Sequence, residues 1–95
     1  MGGEPLCPSN LSVTALVIEE VKNKFPNKPI FLWTGYTMKE LESYQRINDN
    51  NKDGALMRYI LSHINCLIDG RYEQDKRDIT LVMRGSSNQN IYYFD

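Results

Sequence analysis

Three short apolar runs, Ile30-Phe31-Leu32-Trp33, Cys66-Leu67-Ile68 and Ile79-Thr80-Leu81-Val82-Met83, constrain the fold of this 95-residue chain more than any other feature. Each is too short for a helix, is β-rich in type and lies between turn formers, which is how a strand buried on both faces reads. Helical periodicity fills the stretches between them. Pro8-Ser9-Asn10 is a helix-start signal, and Leu11, Ala15 and Ile18 then fall on one stripe, with Val17 and Val21 beside it. Glu19, Glu20, Lys22 and Lys24 lie outside that stripe. Pro26 lacks an N–H and disfavours helical geometry in its predecessor, so this helix is predicted to stop near Phe25. Alternating helices and strands predict an α/β fold, a parallel sheet with flanking helices, in a single domain over residues 1–95.

A second helix is expected after Thr37-Met38-Lys39-Glu40, where the Thr hydroxyl and the Glu carboxylate can each satisfy a free backbone N–H at a helix start. It should run through Leu41 and Tyr44 and give way to a polar loop from Asn48 to Gly54. That loop contains Asp49-x-Asn51-x-Asp53-Gly54, the first half of an EF-hand calcium loop, but Ile60 stands where a bidentate Glu is required. The coordination shell would be short of two oxygens, so a plain Asn/Asp/Gly turn is the reading adopted. A third helix is predicted from Ala55, with Leu56, Tyr59, Ile60 and His63 at helical spacings and His63 a surface or core-edge residue. The tail Ile91-Tyr92-Tyr93-Phe94 is either a further strand or a segment docked on the surface.

The formal net charge of −1 comes from interspersed acids and bases and offers no basic face for nucleic acid or an anionic membrane. No apolar run approaches the ~20 residues of a membrane span, and Met1-Gly2-Gly3-Glu4 has neither the basic nor the apolar region of a signal peptide. A cytoplasmic location is the default. Cys7 and Cys66 are the two cysteines, far apart and without a partner pattern for a metal site, so both read as small core residues.

Ligands of parallel α/β folds bind at the carboxyl ends of the strands. The residues there are Thr34-Gly35-Tyr36, Asp69-Gly70 and Arg84-Gly85-Ser86-Ser87-Asn88-Gln89, and Gly2-Gly3-Glu4-Pro5 precedes a helix in the same way. Glycines admit close backbone approach, Thr34 and Ser86 offer hydroxyls, Glu4 and Asp69 can accept from an ammonium or a ribose, and Arg84 can pair with a carboxylate. Taken singly, each stretch is also an ordinary turn.

Taken in order, these motifs resemble a definite family. Gly2-Gly3-Glu4-Pro5-Leu6 is similar to the Gly-Gly-Glu motif of radical S-adenosylmethionine (SAM) enzymes. Phe31-Leu32-Trp33-Thr34-Gly35-Tyr36, then Leu67-Ile68-Asp69-Gly70-Arg71-Tyr72-Glu73, then Arg84 onward through Gln89, resemble the anaerobic ribonucleoside-triphosphate reductase activating proteins. The resemblance implies part of a partial (β/α) barrel. It also implies a chemistry in which a [4Fe-4S] cluster on three cysteines cleaves SAM reductively, and the 5′-deoxyadenosyl radical takes hydrogen from a glycine of the reductase. By motif, Gly2, Gly3 and Glu4 match cofactor-binding positions beside the SAM amino group, and Thr34 a strand end that faces SAM. No catalytic side chain and no metal ligand is assigned.

Two departures qualify the match. The family's Cys-x-x-x-Cys-x-x-Cys motif precedes Gly-Gly-Glu, so Cys7 and Cys66 cannot stand in for it, and the family's Arg after Asn-Gln is Asn90 here. The expectation is therefore the C-terminal part of a glycyl-radical activating enzyme: partnered with anaerobic ribonucleoside-triphosphate reductase, without its own cluster, inactive alone, and self-associating as a homodimer through surfaces that missing strands would cover. The alternatives are a non-catalytic small α/β interaction module and an activator of pyruvate formate-lyase.

Overall fold

The computed structural model describes residues 3–71, 73 and 88–94. The strand expected at 79–83, and residues 84–87 of the last motif, lie outside the described residues. A 3-10 turn at Pro8–Asn10 runs into helix α1, Leu11–Lys24. The predicted stripe Leu11, Ala15 and Ile18 is buried, whereas Val13, Leu16 and Val17 stand 61%, 63% and 56% exposed on the opposite side. The helix ends where Phe25 donates its N–H to the Val21 carbonyl at 2.7 Å, one residue before Pro26.

Strand β1 is Phe31–Trp33, and helix α2 is Met38–Ile47. The expected capping box is formed: Glu40 N donates to Thr37 Oγ1 at 3.1 Å, and Thr37 N donates to Glu40 Oε1 at 2.8 Å. Helix α3, Lys52–His63, starts earlier than predicted. Asn51 is its cap and accepts from Gly54 N at 3.0 Å, so Asp53 and Gly54 belong to the first turn rather than to the loop. Asp53 accepts the Tyr44 hydroxyl and Asp49 pairs with Arg58, each of the calcium-like carboxylates thus having a different protein partner. His63 ends α3, stacked on Tyr59 with ring centroids 4.1 Å apart.

Strand β2, Cys66–Asp69, lies between β1 and β3, Asn90–Tyr93. β1 runs parallel to β2, with Phe31, Leu32 and Trp33 opposite Cys66, Leu67 and Ile68. β3 is antiparallel, with Asp69 opposite Asn90 and Cys66 opposite Tyr93. The sheet is therefore mixed, which corrects the wholly parallel sheet expected from helix–strand alternation. The reason is local: Gln89 Nε2 donates to the Gly70 carbonyl and Asn88 Nδ2 to that of Arg71. The chain re-enters the sheet at the end where β2 leaves it, and from there it can only run back.

α3 packs on both α1 and α2, and the three helices cover the sheet face that presents Leu32 and Leu67. Their shared core takes in Leu6, Leu11, Ile18, Leu41, Met57, Ile60 and Ile64. β2 is buried along its whole length, but β1 is not the doubly buried strand its composition predicts. Phe31 and Trp33 remain 41% and 49% exposed, because β1 is the edge of the described sheet and its helices cover one face. No helix among the described residues is long and apolar enough to cross a membrane.

Candidate ligand rim at the strand ends

The carboxyl ends of β1 and β2, the start of β3 and the segment before α1 meet at one rim. The segment is pinned from α1: Asn10 Nδ2 donates to the Glu4 carbonyl at 2.9 Å, and Thr14 Oγ1 to the Pro5 carbonyl at 2.7 Å. Asn10 therefore spends its side chain on Glu4 and makes no side-chain cap to α1. Leu6, buried at the top of the core, anchors the other end.

So held, the Glu4 side chain reaches the end of β1. Oε2 accepts the Thr34 hydroxyl at 2.6 Å and Leu6 N at 3.0 Å, while Oε1 accepts Gly35 N at 2.6 Å. A Cβ built on Gly35 would lie 3.2 Å from Glu4 Oε1 and press it back by a few tenths of an ångström, so glycine eases the approach. A carboxylate has about four acceptor positions. Three are filled, leaving one on Oε1, and Glu4 is only half-buried, so a ligand N–H can still be accepted. Thr34 is 4% exposed and fully engaged locally, accepting from Tyr36 N at 3.2 Å and donating its backbone N–H to the Ile68 carbonyl at 3.0 Å.

Asp69 faces the same rim from β2 but turns inward. It is 2% exposed; Oδ2 accepts Met38 N, the first residue of α2, at 2.8 Å, and Oδ1 accepts Asn90 N at 2.9 Å. These charge-assisted bonds satisfy a carboxylate that could not be buried unpaired. The next residue, Gly70, has φ of 85°, the left-handed turn that Asp-Gly favours. Asn90 uses its backbone for Asp69, so that contact does not depend on which side chain follows Asn-Gln. Beside the rim, Tyr36, Leu6, Leu41, Tyr44 and Met57 line a recess of about 130 Å³. That is below the roughly 300–1,000 Å³ of enclosed ligand pockets, so it accepts a small group only. Burial, and after it the Glu4 carboxylate, pushes the Tyr36 phenol above its usual range.

The motif residues are thus brought together in part. Glu4, Thr34 and Gly35 converge, whereas Gly3 lies beside Asn10 at the start of α1; Gly2 and Arg84 lie outside the described residues. The roles of Asn10, Thr14 and Asp69 as internal braces were not foreseen. Asn10 beside a helix start was the one available signal, and capping explained it away. Cys66 is buried in β2 with its thiol pushed up by desolvation, as a core cysteine should be, while Cys7 is only half-buried, its Sγ 3.2 Å from Ser9 Oγ. Among the described residues no group of three His, Cys, Asp or Glu could hold a metal ion.

Comparison with known proteins gives this geometry a context. The family described as "4Fe-4S single cluster domain" matches residues 1–92. The anaerobic ribonucleoside-triphosphate reductase-activating protein of Pasteurella multocida is 47% identical over 93 residues, 98% of this chain and 52% of that protein. The protein of the same name from Vibrio cholerae is 39% identical over 93 residues, with the same coverage. That of Escherichia coli K12 is 34% identical over 92 residues, 97% of this chain and 52% of the relative. The chain thus spans about half the length of the curated relatives it matches. No solved structure matches it. A [4Fe-4S] cluster is held by cysteine thiolates, typically four. Two cysteines, one of them buried in the sheet, do not fit as that ligand set.

Proposed function

From the premise that this chain belongs to the 4Fe-4S single cluster domain family, as a homologue of anaerobic ribonucleoside-triphosphate reductase-activating proteins, we propose that its rim forms the amino-group side of a SAM pocket. The observation that carries the reading is the Glu4 carboxylate, held by Thr34, Gly35 and Leu6 with one acceptor position left on Oε1. An ammonium group placed there gains a charge-assisted hydrogen bond to an acceptor that is already oriented. Gly2 and Gly3 lend backbone groups, and Thr34 holds Glu4 in place. In this reading the parallel β1–β2 pair and the helices between them belong to the barrel that the motif resemblance implies.

In this reading the chain acts as a portion of a glycyl-radical activating enzyme whose partner is anaerobic ribonucleoside-triphosphate reductase. The residues present bind and orient one end of SAM. They do not supply the thiolates for the cluster, so the chain alone is expected to be inactive. The apolar residues exposed on α1 and β1 support the inference that it self-associates as a homodimer.

Calorimetric titration of the chain with SAM and with S-adenosylhomocysteine tests the pocket. Both carry the amino acid end, so both are expected to bind, weakly and equally, and Glu4→Gln should abolish both. Binding that survives Glu4→Gln, or a complete absence of binding in the wild type at millimolar ligand, would remove the pocket from Glu4.

A further inference from the structure

The loop from β1 to α2 shows a strict alternation of partners. Its even-numbered residues are tied to the end of β2: Thr34 N donates to the Ile68 carbonyl at 3.0 Å, Gly70 N donates to the Tyr36 carbonyl at 2.8 Å, and Met38 N donates to Asp69 Oδ2 at 2.8 Å. The N–H of Gly35, between the first two, is turned the other way, to Glu4. The ties at Thr34 and Tyr36 run between backbone groups, whereas that at Met38 depends on one buried side chain. Through its second oxygen, Asp69 also fixes the start of β3, so a single carboxylate joins α2, β2 and β3.

We propose that Asp69 is a positioning residue for Glu4: by holding the Met38 N–H it fixes the loop whose Gly35 N–H and Thr34 hydroxyl orient the Glu4 carboxylate. The oxygens of Asp69 are both occupied and the residue is shut away from solvent, so it acts through this loop and not by touching a ligand. Its bearing on SAM rests on the function proposed above; its mechanical effect on Gly35 does not.

The test reads the Gly35 amide in the ligand-free chain, by proton chemical shift and hydrogen exchange. A short bond to a carboxylate places that proton downfield and protects it. Asp69→Asn leaves one oxygen for two backbone donors. Met38→Pro deletes the N–H itself, at the first residue of α2, where proline is favoured, after a Thr37 already extended at φ −83°, ψ 159°. α2 can therefore form in that variant whether or not Asp69 matters. In both variants the Gly35 proton is expected to move upfield and lose protection, as it should in Glu4→Gln.

Ile18→Val, a core change far from the rim, controls for stability loss: it should lower the melting temperature and leave the Gly35 shift in place. If Asp69→Asn does not fold, Met38→Pro decides. An unchanged Gly35 shift and unchanged protection in the folded variants would overturn the proposal. Because no ligand enters the measurement, failure of SAM to bind would sink the functional reading and leave this result standing.

Discussion

Replacing Glu4 by Gln keeps the size of the side chain and removes its charge, and the geometry sets the consequence. The carboxylate accepts three hydrogen bonds, two on Oε2 and one on Oε1. An amide has one oxygen. If it faces Thr34 and Leu6, the NH2 group confronts the Gly35 N–H, donor against donor. If it flips, the Thr34 hydroxyl can turn to accept, but Leu6 N is left without a partner. Either way one backbone N–H is orphaned, at about 1–3 kcal/mol, and the remaining bonds lose their charge assistance, which roughly doubles such a bond. Glu4 is half-buried, so water can relieve part of the loss, and a net cost of about 2–3 kcal/mol is expected. For a chain of this size that is a drop in Tm on the order of 10–20 °C. Thermal unfolding followed by circular dichroism measures it. A Glu4→Gln variant melting within a degree or two of the wild type would refute the bracing role assigned to this carboxylate.

Other consequences are equally specific. Gly54→Ala places a Cβ 1.8 Å from the Asn48 carbonyl oxygen, a clash with backbone in the α2–α3 loop. The overpacking, about 1–3 kcal/mol, should outweigh the ~1 kcal/mol gained in helix propensity, and urea unfolding should show a net loss. Cys66 and the phenols of Tyr36, Tyr44 and Tyr92 are all raised by burial. Their neutral forms are favoured by folding, so their contribution is fully present below the unfolded values of about 8.5 and 10 and is lost as pH rises beyond them. Stability from urea titration should accordingly fall as pH rises past about 8.5 and further past about 10; a flat profile would contradict it. A thiol reagent under native conditions should label Cys7 well before Cys66. Sedimentation should show a dimer that Leu16→Glu, on the exposed side of α1, weakens; a clean monomer at high concentration would count against self-association.

Much of the scaffold was legible because it depends on neighbours in sequence. The Leu11-Ala15-Ile18 stripe, the stop before Pro26, the Thr37–Glu40 capping box and the Cys66–Ile68 strand are all set within one or two turns of chain. Features that depend on distant partners were not. Phe31 and Trp33 have the composition of a buried strand, but exposure is decided by what covers each face, and composition does not say. Asn51 was read as loop because its capping role appears only when Gly54 turns back to it. The direction of β3 follows from where Asn88 and Gln89 meet Gly70 and Arg71, nearly twenty residues away. At the rim, the bond from Thr34 to Glu4 spans thirty positions, and no spacing rule points to it. Asp69 was a candidate ligand contact by type; its burial makes it a brace.

Whether Glu4 forms the amino-group side of a SAM pocket is tested most directly by titrating SAM into the isotopically labelled chain and following its backbone amides. The expected result is a saturable shift confined to Gly3, Glu4 and Gly35, absent in Glu4→Gln and reproduced by methionine, which carries the same amino acid end. Shifts centred elsewhere, such as on the outer side of α1, or shifts at the rim that persist without the Glu4 carboxylate, would contradict it.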